Sequence, residues 1–183
     1  MKLSVKEMVL ISLFTALTAI GAFLSIPVGN VPITLQSMFA LLSGILLGPK
    51  LGSLSQLVYV LLGLSGVRIF AQFSGGLDSI VKPSFGFLIG FIFAAFVVGK
   101  MVYEMPIDFK RIFLATLAGT FIIYLFGIPY MYMILNNVMG KGPSFSAVIK
   151  TGCLIFLPGD MFKAILSALI GSKVLRRMRI AQL

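Results

Sequence analysis

The sequence predicts an all-α integral membrane protein, a compact bundle of six transmembrane helices forming a single domain over residues 1–183 with both termini cytoplasmic. Three observations predict it. Hydrophobic residues make up 59% of the chain and charged residues 11%, against about 45–50% and about 25% in soluble domains; the mean hydropathy is +1.10. The apolar residues fall into six runs separated by proline, glycine and charge. The basic residues are strongly biased to one side of those runs.

The first run, Met8–Ile26, ends at Pro27. It follows Lys2 and Lys6 as a signal peptide would, but it is long enough to remain as a first span. The second, Ile33–Leu47, begins after Pro32 and ends at Gly48-Pro49; the third is Leu51–Leu64. Both are shorter than the ~20 residues that normally cross a bilayer, which suits tilted segments or segments partly replaced by loop. Ser84–Val102 and Ile112–Leu135 are the fourth and fifth. The sixth reaches Leu175 and starts at either Ala147 or Pro158. Proline disfavours helix in the residue before it and suits a first helical turn, so Ser144–Phe156 reads as a separate short segment. Asp160 then lies at a helix start, where the helix dipole favours a carboxylate.

With six spans, one side collects Lys2, Lys6, Lys50, Lys100, Lys110, Arg111, Lys173, Arg176, Arg177 and Arg179, and the other only Arg68, Lys82 and Lys141. The excess of Lys and Arg marks the cytoplasmic side. The net charge of +10 is thereby a topology signal and an anchor on anionic lipid; it forms no continuous stripe of the kind nucleic acid requires. With no histidine and one cysteine, Cys153, imidazole bases, an intramolecular disulfide and CxxC metal sites are excluded. No cofactor is expected. There is no GxxxxGK[ST] loop, so any ATP hydrolysis belongs to other chains.

Asp160 and Lys163 stand out in FLPGDMFKAILSALIGS. A charge at the bilayer centre costs about 2.5–3.5 kcal/mol on insertion scales, and such groups face a partner helix, a ligand or a cavity. Three residues apart on a helix, the two share a face. One reading is a structural ion pair; the other is recognition of a polar group carrying both N–H and C=O. Thr34, Gln36 and Gln56 are polar groups in the short second and third spans or beside them, suited either to interhelical hydrogen bonding or to ligand contact. Phe85 and Phe87 are core residues or an apolar pocket wall. The segment Gly66–Lys82 is a plain solvated loop or a lid. Ser12/Ala16, Thr15/Ala19 and Thr18/Ala22 form small-residue pairs that allow close helix approach, within the bundle or against another subunit.

Taken together, VPITLQSMFALLSGILLGPKLGSLSQLVYVLLGLSGV, FSGGLDSIVKPSFGFLIGF and LPGDMFKAIL resemble the BioY family, the biotin-binding S components of energy-coupling factor (ECF) transporters. The resemblance covers nearly the whole chain. It implies a non-enzymatic subunit in the cell membrane that captures biotin from outside. It also implies a transmembrane coupling subunit and two ATPase subunits as partners. The family's PGDxxK motif maps its ligand contacts onto Asp160 and Lys163. The docking face of the family's first helix maps onto Thr15 and Ala19. The family's PTGGY segment reads Pro83-Ser84-Phe85-Gly86-Phe87, without the tyrosine hydroxyl at Phe87. For biotin, Asp160 accepts from the ureido N–H groups, and Lys163, Thr34 or Gln56 donates to the ureido oxygen. Arg68 and Lys82 are the cations available to the carboxylate. Two alternatives are an S component for another small vitamin and a small membrane channel or enzyme; five acidic residues and no histidine argue against the enzyme.

Overall fold

The computed structural model describes residues 3–104 and 106–180. Lys2 and the Arg179 side chain, both counted in the charge bias, lie outside the described residues. Helix α1, Val5–Phe23, starts with a reciprocal cap: Glu7 N donates to Ser4 Oγ at 3.2 Å and Ser4 N to Glu7 Oε2 at 2.8 Å, satisfying two otherwise unpaired amides. A short hairpin follows, β1 Ser25–Ile26 paired antiparallel with β2 Ile33–Thr34. It takes residues from the ends of the first two expected spans, because Pro27 and Pro32 remove the amide donors that helix would need.

Helix α2, Gln36–Leu64, is two arms. Gly48 adopts φ 82°, ψ −178°, a conformation open to glycine and strained for other residues, and Pro49 starts the second arm. Residues nine apart in a straight helix are separated by about 13.5 Å along the axis. Here Ser43 Oγ donates to Gly52 O at 3.3 Å, so arms 36–47 and 49–64 fold back on each other. The Gly48-Pro49 break is where the sequence puts it.

Helix α3, Phe85–Tyr103, and helix α4, Phe109–Met133, follow, the latter capped by Asp108 and extended by a π-helical turn Ile134–Val138. Helix α5, Phe145–Ile149, continues as a π-helical turn Lys150–Leu154, and α6 is Leu157–Ile180. The segment Phe145–Leu154 meets α6 at a 41° bend. Of the two starts open for the last span, α6 takes the one beside Pro158, with Asp160 in its first turn. Asp160 N bonds Phe156 O at 2.9 Å, so Asp160 lies inside the first turn rather than at the cap.

Among the described residues, four helices are long and apolar enough to cross a membrane, five if the bent pair counts as one span. Leu13, Ile20, Leu61, Phe93, Leu114, Phe121 and Phe162 point outward; so large an apolar exterior is stable only against lipid tails. The chain is a multi-pass membrane protein.

Helix α2 packs against α1, α3, α4 and α6. The small-residue pairs of α1 divide between two faces. Thr15 and Ala19, expected to form a docking face, are buried, and Thr15 Oγ1 donates to Ser55 O at 2.9 Å, so they pack inside the bundle. Ser12 and Ala16 remain exposed.

Candidate functional site

Three connections gather at one end of the bundle: the hairpin after α1, the segment between α2 and α3, and the segment between α4 and α5. Lys141 Nζ donates to Asn30 Oδ1 at 3.3 Å, tying the third to the first, and the Tyr130 hydroxyl of α4 donates to Ile80 O at 2.5 Å, tying the second to the bundle. Beneath them is a cavity of about 180 Å³.

Its polar wall is built around α6. Lys163, only 6% exposed, donates to Asp160 Oδ1 at 2.8 Å and to Ser37 Oγ at 3.2 Å. The Tyr124 hydroxyl, from α4, donates to Asp160 Oδ2. The ion pair is thus held by three helices. An ammonium has three donors and each carboxylate oxygen two lone pairs, so with these bonds made Lys163 retains one donor and Asp160 one lone pair per oxygen. Phe85, Phe87, Phe91, Ile123 and Phe156 supply the apolar wall.

Seven of the nine residues singled out for ligand contact line this cavity: Asp160, Lys163, Thr34, Gln36, Lys82, Phe85 and Phe87. The Thr34 hydroxyl and one of the two Gln36 amide N–H groups are already committed. Thr34 Oγ1 donates to Gln36 Oε1 at 3.0 Å, Gln36 Nε2 to the Tyr59 hydroxyl at 2.6 Å, and Tyr59 in turn to Ile69 O at 2.8 Å. This chain of bonds fixes the wall and ties the segment 66–84 to α2.

Gln56 and Arg68 do not line the cavity. Gln56 is 0% exposed, and its Nε2 lies 3.2 Å from Thr18 Oγ1, 3.3 Å from Ser43 Oγ and 3.2 Å from Ser55 Oγ. It joins α1 to both arms of α2. Arg68 is exposed, just after the turn that ends α2. Lys82 is the basic residue of the loops that reaches the cavity, at its mouth, where it is exposed.

Tyr124, Ser37 and Ser79 escaped the sequence reading. Tyr124 is one aromatic among many in TFIIYLFGIPY, and its tie to Asp160 crosses 36 residues. It also stands edge-on to Phe87, with ring centroids 6.3 Å apart and an interplanar angle of 86°. A hydroxyl therefore borders the Phe87 ring, supplied from α4.

The segment 66–84 covers part of the opening. Phe70 is buried against Tyr59 in an edge contact at 5.5 Å. At the tip, Gln72 and Phe73 both have positive φ, 60° and 53°, and Phe73 stacks on Phe23 of α1 at 4.8 Å.

A buried polar pair in an apolar cavity, inside a helical membrane bundle, is the arrangement of a membrane protein with room for a small polar molecule. Comparison with known proteins narrows this. Residues 1–180 match the model of the BioY family. A "Probable biotin transporter BioY" of Lysinibacillus sphaericus is 41% identical over 180 residues, covering 98% of this chain and 91% of that protein. The "Biotin transporter BioY" of Thermotoga maritima is 36% identical over 169 residues, covering 92% and 95%. A crystal structure of the S-component for biotin from an ECF-type ABC transporter superposes with a TM-score of 0.81 at 29% identity, covering 94% of this chain and 92% of that one. The chain belongs to the BioY family.

Proposed function

We propose that this chain is the substrate-binding S component of an ECF transporter in the cell membrane, capturing biotin from outside for ATP-driven uptake. It is not an enzyme; ATP hydrolysis resides in partner subunits. The observation that carries the reading is the Asp160–Lys163 pair, braced by Tyr124 and Ser37 and set in an apolar cavity, in a chain of the BioY family. Biotin's ureido ring presents two N–H donors and one C=O acceptor. Asp160 keeps lone pairs for the first and Lys163 a donor for the second. Its thiolane ring and alkyl chain suit the phenylalanine wall.

In this reading the two arms of α2 are separate passes, so the bundle has six, with both termini cytoplasmic. Support comes from the sorting of charge: Gly99, beside Lys100, lies against Pro49, beside Lys50, whereas Lys82 and Lys141 belong to the connections above the cavity. A transmembrane coupling subunit and two ATPases complete the transporter. The coupling subunit docks on the outward face of α1 at Ser12 and Ala16, the small pair left exposed.

Isothermal titration of the purified chain with biotin tests the reading. Asp160→Asn and Lys163→Ala are each expected to weaken binding tenfold or more, since hydrogen bonds to charged groups contribute about 1.5–3 kcal/mol. Unchanged affinity in both would refute the site; a chain with no affinity for biotin would refute the function.

A further inference from the structure

Helices α4 and α6 pack together, and each carries a proline near the level of the cavity, Pro129 and Pro158. Proline has no N–H. Pro129 therefore leaves the Leu125 carbonyl of α4 without its helical donor, and Pro158 stops the Phe145–Leu154 segment from running on into α6. Helices bend sharply at such places, and that segment meets α6 at 41°. Tyr124 lies just before the first break and Asp160 just after the second, and their hydrogen bond joins α4 to α6 on the bundle side of both.

The residues between the breaks, 130–154, form one helical hairpin with packing of its own. Met131 and Leu135 of its first limb are buried, as are Val148 and Gly152 of its second. A Cβ on Gly152 would lie 2.9 Å from Met131 Sδ, and Phe145 stands edge-on to Tyr132 at 5.4 Å. The tip is braced from within: Lys141 N donates to Leu135 O at 2.9 Å and Asn136 Nδ2 to Tyr132 O at 3.0 Å. The hairpin is fastened to the other two connections by surface hydrogen bonds, from the Tyr130 hydroxyl to Ile80 O and from Lys141 Nζ to Asn30 Oδ1. Exposed polar ties of this kind hold weakly. Gly152, and Phe156 at the root of the second limb, line the cavity.

We propose that the helical hairpin 130–154 is a side flap of the cavity. It swings as one body about Pro129 and Pro158, and the ligand enters and leaves past Gly152 and Phe156. Lys141–Asn30 and Tyr130–Ile80 are its latches. The Tyr124–Asp160 bond keeps the carboxylate in place beneath the hinges while the flap moves. The latches close the empty and the loaded cavity alike, so loosening them speeds entry and exit by the same factor. The choice of biotin as the probe rests on the reading above.

Rapid-mixing measurement of biotin association and dissociation on the purified full chain tests the flap, together with hydrogen exchange on the empty chain. Lys141→Ala and Tyr130→Phe should each raise both rates about threefold and leave the Kd unchanged. Lys141→Arg, which keeps a donor, should match wild type. Pro129→Ala restores a donor to Leu125 O, stiffens one hinge and should lower both rates about threefold. In the empty chain, Lys141→Ala should raise amide exchange across residues 130–154 together and leave residues 112–124 unchanged. Unchanged rates in both latch variants, or a rise in dissociation alone, overturns the flap and leaves the biotin reading standing. If the wild-type chain binds no biotin, the biotin reading falls and the exchange pattern decides: a concerted rise over 130–154 upholds the flap, and a rise confined to 139–144 overturns it.

Discussion

The hydroxyl of Tyr124 donates to Oδ2 of Asp160, so the cavity carboxylate is aimed from a second helix. Replacing Tyr124 with phenylalanine keeps the ring against Phe87 and removes the donor. Asp160 is then held by Lys163 alone. We expect Tyr124→Phe to weaken biotin binding about tenfold, in line with loss of one hydrogen bond to a charged group, while thermal unfolding in detergent changes little. Affinity within twofold of wild type would show that Asp160 is positioned without Tyr124.

Gln56 gives the opposite pattern. Its amide reaches Thr18, Ser43 and Ser55 and no cavity surface. Interhelical polar contacts in membranes average about 0.6 kcal/mol, and a buried group left unpaired costs about 1–3 kcal/mol. Gln56→Ala is expected to lower the unfolding temperature and leave biotin affinity unchanged. A selective fall in affinity without loss of stability would return Gln56 to the ligand site.

The contrast between these two residues shows how far the sequence was legible. Proline and glycine mark backbone events directly, so Gly48-Pro49 and Pro158 located the fold's breaks within a residue or two. Asp160 and Lys163 were legible because charge inside an apolar run has few explanations. Gln56 and Gln36 are the same residue type on the two arms of one hairpin; only the way those arms fold back puts one at the cavity and buries the other among α1 and α2. Thr15 and Ser12 likewise differ by three residues on one helix, and nothing in a pattern of small residues says which side meets the bundle. Tyr124 is a stronger case: a tyrosine among aromatics carries no mark of the aspartate it will meet 36 positions later.

The face of α1 left outside the bundle makes a separate prediction. Tryptophan at Ser12 or Ala16 should block close approach of another helix there and abolish co-purification with the coupling subunit, with biotin affinity retained. Tryptophan at Thr15 should instead disrupt the contact with Ser55 and destabilise the chain itself. Full recovery of the complex from both the Ser12 and Ala16 variants would rule out this face as the docking surface.

Gly63 is where the covering segment 66–84 is fastened. Its carbonyl accepts from Gly76 N at 2.7 Å, and a Cβ at this position would overlap the Phe70 ring. The ring cannot yield easily, because it is buried and stands edge-on to Tyr59, whose hydroxyl holds Ile69 O. Gly63→Ala should therefore lift Phe70 and, with it, Ala71, Gln72 and Ser74, which line the cavity. A loosened cover acts on escape of a ligand more than on its capture, since changes within one binding site fall mainly on the dissociation rate. We expect biotin to leave the Gly63→Ala chain about five- to tenfold faster, with an association rate close to wild type and increased amide hydrogen exchange over residues 69–76. Increased exchange with an unchanged dissociation rate would mean that the segment covers the cavity without retaining what is in it.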